Sequence, residues 1–219
     1  MLNFTNSPAV NLSLLLLLVF SIVTWSLILA KFWQQTQARR QNEKLKRLFW
    51  SARDFSEAEK SAAAEEGMLA RLCQMGFATL RKAEYAADNL SLAGNRPEIL
   101  ERNLRMQAQK EQHRLETGLM ALASIGSTAP FIGLFGTVWG IKNALADISM
   151  AGNATLNVVA GPVGDALIAT AVGIATAVPA VLAYNYGVRR VRLYVAELDQ
   201  FATDFLNLAA KSEFRVETK

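Results

Sequence analysis

The sequence contains almost no cysteine and almost no histidine, and this scarcity limits the chemistry that the chain can perform. Cys73 is the only cysteine and His113 the only histidine among 219 residues. One cysteine cannot form an intramolecular disulfide, and the two residues together cannot supply the ligands of an ordinary zinc site. We therefore expect no metal centre. A catalytic Cys–His or Ser–His pair would have to use His113.

The motifs that commonly mark enzymes are missing as well. The sequence has no H-E-x-x-H, C-x-x-C or G-x-S-x-G motif. Residues 136–142 resemble a phosphate-binding loop only superficially, because they do not follow the G-x-x-x-x-G-K-[ST] pattern. We therefore predict that the protein is not an enzyme and that it binds no cofactor.

Charged residues are absent from three long stretches. No Asp, Glu, Lys or Arg occurs in residues 1–30, 117–141 or 166–188. As helices, these stretches reach roughly 35 Å or more, whereas the hydrocarbon core of a bilayer is ~30 Å thick. They predict an all-α integral membrane protein with three transmembrane helices, at about residues 12–30, 118–141 and 165–187. The alternative is a soluble helical bundle, which would need three long helices without a polar face.

Basic residues lie almost entirely on one side of these spans. Residues 31–117 hold 16 Lys and Arg and residues 188–219 hold six, whereas residues 142–165 hold only Lys142. The positive-inside rule places the basic side in the cytoplasm. We expect residues 1–30 to form an external N-terminus and the first helix, and residues 31–117 a cytoplasmic helical loop. Residues 118–187 would form the second and third helices with a short external connection at about 143–164, and residues 188–219 a cytoplasmic C-terminal helix.

Two further predictions follow from the same charges. The first span is interpreted as an uncleaved anchor, because the residues before it lack the positive charge of a signal peptide. Residues 31–117 also hold 12 Asp and Glu, which nearly balance the basic residues. We therefore expect a solvated surface there and no binding of nucleic acid.

Two apolar stripes at helical spacing predict that the charged segments pack as a bundle. The first stripe comprises Leu69, Leu72, Cys73, Phe77 and Leu80, and the second comprises Val191, Val195, Leu198, Phe201, Phe205 and Leu208. No helix breaker separates the helix expected from about Glu98 from the second span, and none follows the third span. We therefore expect two of the transmembrane helices to extend into a cytoplasmic helical bundle, with Cys73 in its core.

The three spans differ in composition. In the first, 13 of 19 residues are Leu, Ile, Val or Phe, whereas about half of the residues in the other two are Gly, Ala, Ser or Thr. Bulky aliphatic side chains suit lipid contact, and small residues let helices approach closely. We expect the first helix to face membrane lipids and the others to pack against protein, with Gly133, Gly136 and Gly140 on one packing face. Pro130 and Pro179 would either bend their helices or shape a cavity.

Asp165 is the only acidic residue within the three spans. A carboxylate at mid-membrane costs ~2.5–3.5 kcal/mol on insertion scales, and less near an interface, so it usually faces water or a polar partner. One interpretation is a functional carboxylate. The other is an acid that the helix macrodipole stabilises near a helix start, with Gly161 and Pro162 breaking the chain before it.

Thr137 in the second span and Thr170 and Thr176 in the third are further candidates for a polar lumen. Thr170 lies about 140° from Asp165 around the helix, so these side chains do not form one narrow stripe but could line a wide lumen. The alternative for each threonine is a hydrogen bond to its own helix backbone. Three helices do not enclose a pore, so we expect several copies of the chain, or another chain, to surround the lumen.

Two long motifs resemble those of the ExbB/TolQ/MotA proton-channel family. The first is P-F-I-G-L-F-G-T-V-W-G-I at residues 130–141, and the second is V-A-G-P at 159–162, followed by A-L-I-A-T-A at 166–171 and V-P-A at 178–180. The length and the expected topology match the ExbB–TolQ branch, with ExbB the preferred assignment and TolQ its sibling.

The resemblance implies a subunit of the bacterial inner membrane with a periplasmic N-terminus and a cytoplasmic C-terminus. Such subunits form a homopentamer around the single-span helices of ExbD, or of TolR, and use proton flow to energise TonB, or TolA, which reaches the outer membrane. The pore-facing threonines of the family fall on Thr137 and Thr170, and its membrane glutamate falls on Asp165, which is one methylene shorter. A passive membrane scaffold without proton flux is the alternative from another class.

Overall fold

The computed structural model describes residues 8–85, 96–151 and 156–212, which are helical almost throughout and contain no strand. The helices are α1 (Pro8–Ser51), α2 (Phe55–Ala64), α3 (Met68–Tyr85), α4 (Arg96–Glu116), α5 (Leu119–Ala151) and α6 (Leu156–Lys211). Three helical stretches are long and apolar enough to cross a membrane, namely Pro8–Ser51, Arg96–Ala146 and Ala160–Lys211. The prediction of an all-α fold with three membrane-length helices is confirmed.

The helix expected from about Glu98 into the second span is divided into α4 and α5. Gly118 lies between them with a φ of +84°, in the left-handed region that favours glycine. A glycine in this conformation commonly ends a helix. The backbone N–H of Leu122 then donates to the Gly118 carbonyl, which begins the next helix.

The external connection expected at about residues 143–164 is mostly helical. α5 continues to Ala151 and α6 begins at Leu156, so only residues 152–155 separate them, and these lie outside the described residues. Pro162, which was expected to help break the chain, lies inside α6. A proline removes one helical hydrogen bond, but the remaining bonds on either side can hold the helix together. Residues 1–7, expected outside the cytoplasm, also lie outside the described residues.

The chain divides into two compact units. The first, here called the apolar unit, comprises residues 1–31 and 118–188, and the second, the charged unit, comprises residues 32–117 and 189–219. The sides of a membrane on which the loops and termini lie remain predictions.

The charged unit has a core built from the two predicted stripes. All five residues of the first stripe are buried, as are four of the second, whereas Val195 and Leu208 are half-buried. Phe77 and Phe205 are central, with ring centroids 5.1 Å apart in an edge-to-face arrangement. Phe49 extends the cluster through Phe201, at 5.0 Å. Aromatic pairs in this geometry stabilise a core beyond the area that they bury.

The apolar unit buries many small residues and exposes many large apolar ones. Ala129, Ala166 and Ala169 are fully buried, whereas Phe131 of α5 and Leu182 of α6 are mostly exposed. The first helix also exposes many large apolar side chains. All three membrane-length helices expose apolar side chains in a single chain. Their exposure therefore does not test the prediction that the first helix faces lipid and the other two face protein.

Candidate functional site

The site begins with a close contact between the backbones of α5 and α6. A Cβ placed on Gly133 would lie 2.6 Å from the carbonyl oxygen of Ala169 and 2.9 Å from the Cα of Thr170. On the opposite helix, a Cβ on Gly173 would lie 2.8 Å from the carbonyl oxygen of Ala129. Only glycine fits between two backbones at such distances, and this closeness maximises dispersion contacts where no water drives packing.

Gly136 and Gly140 continue the same face towards the C-terminal end of α5. A Cβ on Gly136 would lie 3.0 Å from the Ala169 Cβ and 3.2 Å from the Ser13 Cβ, and one on Gly140 would lie 2.6 Å from the Ala166 Cβ. Gly136 therefore lies against both α1 and α6. The three glycines that share a face in the sequence pattern all lie against neighbouring helices.

Thr137 and Thr170 are brought together at this contact. The Thr170 hydroxyl donates to the Thr137 Oγ1 at 3.4 Å, and the Thr137 hydroxyl donates to the Leu134 carbonyl at 2.7 Å. Thr137 is buried and Thr170 is half-buried. The two hydroxyls thus form a short directed chain, and Gly133 permits it because it lets the backbone of Thr170 approach α5. The Thr137 hydroxyl also bonds to its own helix, which was the alternative expected for each threonine.

The other two polar candidates lie apart from this pair. Thr176 is buried and lies six residues further along α6 than Thr170, about 9 Å by helix rise. Asp165 is exposed and precedes Thr170 by five residues, about 7.5 Å. Within the described part of the chain, no cation lies within ion-pair distance of Asp165.

Asp165 does not lie at a helix start. α6 begins at Leu156, so nine helical residues precede the carboxylate. The macrodipole favours an acid only within about the first turn. The interpretation of Asp165 as a helix-start residue therefore loses its structural basis, and the exposed carboxylate on this apolar helix needs a different explanation.

Pro130 and Pro179 lie inside α5 and α6, and both are half-buried. Near Pro130, the hydroxyls of Ser127 and Thr128 donate to the Ser124 carbonyl at 3.0 Å and 2.7 Å. Pro130 removes the helical donor of the Gly126 carbonyl, four residues earlier, whereas these two hydroxyls bond to Ser124. Whether either proline shapes a cavity stays a hypothesis.

Sequence reasoning missed two residues of this contact, Gly173 and Gly126. A Cβ on Gly126 would lie 2.5 Å from the Val181 Cγ2. Gly173 lies at small-xxx-small spacing from Ala169 and Ala177, a signal that a search for paired glycines does not use. For Gly126 the abundance of small residues in its span was the only signal, and the crossing of the helices decided which residues touch.

Within the residues that the structure describes, no group of three His, Cys, Asp or Glu side chains is placed to hold a metal ion. The polar groups described at the candidate site are threonine hydroxyls and the carboxylate of Asp165. Hydroxyls both donate and accept, and a carboxylate accepts when ionised and donates when protonated. Groups of this kind can hold water or pass a proton.

Comparison with known proteins places this arrangement in context. A model of the MotA/TolQ/ExbB proton channel family matches residues 65–200. The biopolymer transport protein ExbB of Neisseria meningitidis serogroup B is 40% identical over 190 residues, which cover 86% of each chain. The protein of that name from Xanthomonas campestris is 34% identical over 196 residues, covering 87% of this chain and 78% of its own. The Tol-Pal system protein TolQ of Pseudomonas aeruginosa is 32% identical over 205 residues, covering 91% and 87%.

Proposed function

The chain belongs to the MotA/TolQ/ExbB proton channel family, and we propose that it is the ExbB-type subunit of a motor in the bacterial inner membrane. In this proposal several copies, a pentamer by resemblance, surround the membrane helices of an ExbD-type partner. Proton flow through the assembly drives a TonB-type protein that powers uptake across the outer membrane. The relatives named ExbB are 34–40% identical to this chain and that named TolQ 32%, and this difference supports the choice.

The observation that carries the proposal is the hydrogen-bonded pair of Thr137 and Thr170, of which Thr170 shares α6 with the exposed carboxylate of Asp165. Asp165 precedes Thr170 by less than two helical turns, on a helix whose next 23 residues carry no charge. Keeping an acid there is unfavourable unless it meets water or a polar partner. In the proposal, the copies enclose a polar lumen in which Asp165 and Thr170 contact water and the partner's helix, while Thr137 orients Thr170. Thr176 is the further candidate for this lumen.

The energy available from the membrane suits such a device. One elementary charge crossing 100 mV releases about 2.3 kcal/mol. This is enough to change the ratio of two conformations by roughly 50-fold. A proton that crosses beside Thr170 and Asp165 would thereby bias the movement of one set of helices against another.

Proton flux measured in vesicles tests the proposal. The chain is reconstituted with its companion single-span subunit, and flux is followed with a pH-sensitive dye under an imposed potential. We expect Thr170→Val and Asp165→Asn to lower the flux at least tenfold. Thr128→Val is the control, because Thr128 is an exposed threonine of α5 that bonds to its own helix and lies outside the Thr137–Thr170 pair. This variant should leave the flux unchanged. A flux that is absent from the native assembly, or that both variants retain, would instead support the passive scaffold.

The second candidate is a TolQ-type subunit that works with TolR and TolA in envelope integrity. The similarity to the relative named TolQ, which covers 91% of this chain, supports this second candidate. Deletion of the chromosomal copy distinguishes the two functions. Loss of growth on an iron–siderophore complex, with normal resistance to detergents, supports the ExbB-type function, whereas detergent sensitivity with normal uptake supports the TolQ-type function.

A further inference from the structure

A polar cavity lies in the charged unit, away from the threonine pair. It has a volume of about 250 Å³, and residues of α1, α3 and α4, together with the turn before α3, line it. Its polar wall includes Gln37, Gln41, Glu66, Arg71, Glu111 and Arg114. Nothing in the proposed proton pathway uses these residues.

Glu111 organises the wall of the cavity. Its side chain is 2% exposed and accepts hydrogen bonds from Arg71 Nε and Nη2, from Arg114 Nη1 at 3.0 Å and from Gln107 Nε2 at 2.8 Å. The hydrogen bonding of Arg71 to Glu111 raises the pKa of the Arg71 guanidinium. Both oxygens of Glu111 are thus engaged, and one carboxylate holds two guanidinium groups at the same wall.

The two guanidinium groups keep donors for another ligand. A guanidinium carries five N–H donors, of which Arg71 uses two and Arg114 one on Glu111. The side chains of Arg71 and Arg114 are 40% and 49% exposed, so solvent or a ligand can reach them. The amides of Gln37 and Gln41 line the same cavity and add further donors.

The start of α3 adds a favourable field. Gly67, with a φ of +124°, and Met68 line the cavity, and α3 begins at Met68. The first N–H groups of a helix have no acceptor within the helix, and its macrodipole favours an anion at this end. Among the described residues that line the cavity, the one opposing charge besides Glu111 is Glu66, which is exposed and lies close enough to Arg71 to act on it.

We infer that this cavity binds a phosphate group, held between the guanidinium groups of Arg71 and Arg114 with glutamine amides around it. A tetrahedral phosphate offers several acceptor oxygens, so it can meet two guanidinium groups and a helix start at once, and arginine suits such bidentate contact. The phosphate can belong to a soluble phosphorylated molecule or to a lipid headgroup, since Gln34, which also lines the cavity, follows the end of the apolar unit by only three residues. The site is independent of the proposed proton pathway.

Phosphate binding is tested on the full-length protein in neutral detergent. The protein is titrated with inorganic phosphate, and binding is followed by hydrogen exchange of peptides that cover residues 66–72 and 110–116. In a second arm, the protein is placed in nanodiscs of phosphatidylcholine with or without phosphatidylglycerol. Arg114→Gln should weaken binding by roughly tenfold, the loss of one charge-assisted hydrogen bond. Glu66→Gln should strengthen binding a few-fold because it removes the opposing charge.

Arg105→Gln is the matched control, because Arg105 lies on the same helix as Arg114 and pairs with Glu101 but does not line the cavity. It should leave the affinity unchanged. Protection by free phosphate supports a soluble ligand. Protection only with phosphatidylglycerol supports an anionic lipid headgroup, since phosphatidylcholine also carries a phosphate but has no net charge. The inference is overturned if neither protects the native chain, if Arg114→Gln binds as the native chain does, or if Glu66→Gln binds no more tightly.

Discussion

At single residues, the strictest constraint lies where α5 touches α6. Gly133 and Gly173 face backbone atoms of the opposite helix. A Cβ placed on Gly161 or Gly164 of α6 would instead meet no atom of another helix within 4 Å among the described residues. Glycine therefore has a different effect at the helix contact than at the open positions of α6. At the contact its lack of a side chain is required, and in open space it only weakens the helix.

Gly133→Ala should therefore lower stability, whereas Gly164→Ala should not. The first places a methyl group 2.6 Å from a backbone oxygen that cannot move away cheaply. We expect a loss of about 1–3 kcal/mol, the usual cost of overpacking. The second should be neutral or raise stability by up to ~1 kcal/mol, because alanine is the better helix former. Thermal unfolding in detergent measures both, and equal effects of the two variants would contradict the packing described.

Cys73 is a buried thiol, and burial raises its pKa well above the ordinary value. The thiolate is the reactive form, so a higher pKa keeps the thiol protonated and inert as the pH rises. We expect maleimide labelling of the native chain to remain slow from pH 7 to pH 9.

The control is Cys73→Ala with Ala78→Cys, which places an exposed thiol on the same helix. Its labelling rate should rise about tenfold per pH unit until the pH approaches the ordinary thiol pKa of about 8.5. Rapid labelling of the native Cys73 without denaturant would show that α3 opens readily.

At the scale of elements, α3 and α4 are joined by an ion cluster as well as by apolar contacts. Glu111 of α4 is buried and bonds to Arg71 of α3 and to Arg114 of its own helix. Glu101 of the same helix forms an exposed pair with Arg105. The two glutamates thus differ in burial and in the number of helices that they connect.

Glu111→Gln should destabilise the charged unit more than Glu101→Gln. Removal of the Glu111 charge leaves two guanidinium groups beside each other without their counter-ion, and we expect a loss of about 1–3 kcal/mol because both are partly hydrated. Glu101→Gln should cost less than ~0.5 kcal/mol. Hydrogen exchange of α3 and α4 peptides reports the difference, and equal protection in the two variants would contradict a structural role for the cluster.

At the scale of the whole molecule, the charges predict which side of the membrane each segment occupies. The distribution of Lys and Arg predicts that the charged unit lies in the cytoplasm and the C-terminal end of α5 outside it. Ala63 of the charged unit and Leu145 of α5 are both exposed, so a thiol at either position is accessible to a reagent.

In a Cys73→Ala background, Leu145→Cys should react with a charged, membrane-impermeant maleimide in spheroplasts. Ala63→Cys should react only after the inner membrane has been opened. As a control, both variants must be labelled fully in detergent, which shows that each thiol can react when no membrane blocks the reagent. Labelling of Ala63→Cys in intact spheroplasts would reverse the predicted topology.

Much of the fold followed from the sequence because its causes are local. Runs without charge long enough to cross a bilayer predict membrane helices whatever their neighbours, and the stripe containing Leu72 and Phe77 predicts a buried face by helical spacing alone. The helix ends were less predictable. Pro162 did not interrupt a helix and Gly118 did, because neighbouring hydrogen bonds and a left-handed backbone decided these points.

In the candidate site, too, some features could be predicted from the sequence and others only from the structure. Composition alone pointed to Asp165, since a charge among apolar residues is visible without a structure. The contact between Thr137 and Thr170 was decided only by the crossing of α5 and α6, because two residues 33 positions apart meet through the glycine and alanine surfaces between their helices. The cluster around Glu111 was equally invisible in the sequence, where its partner Arg71 is 40 residues away. Local propensity and hydropathy act along the chain, whereas a hydrogen bond between helices depends on where their backbones can approach.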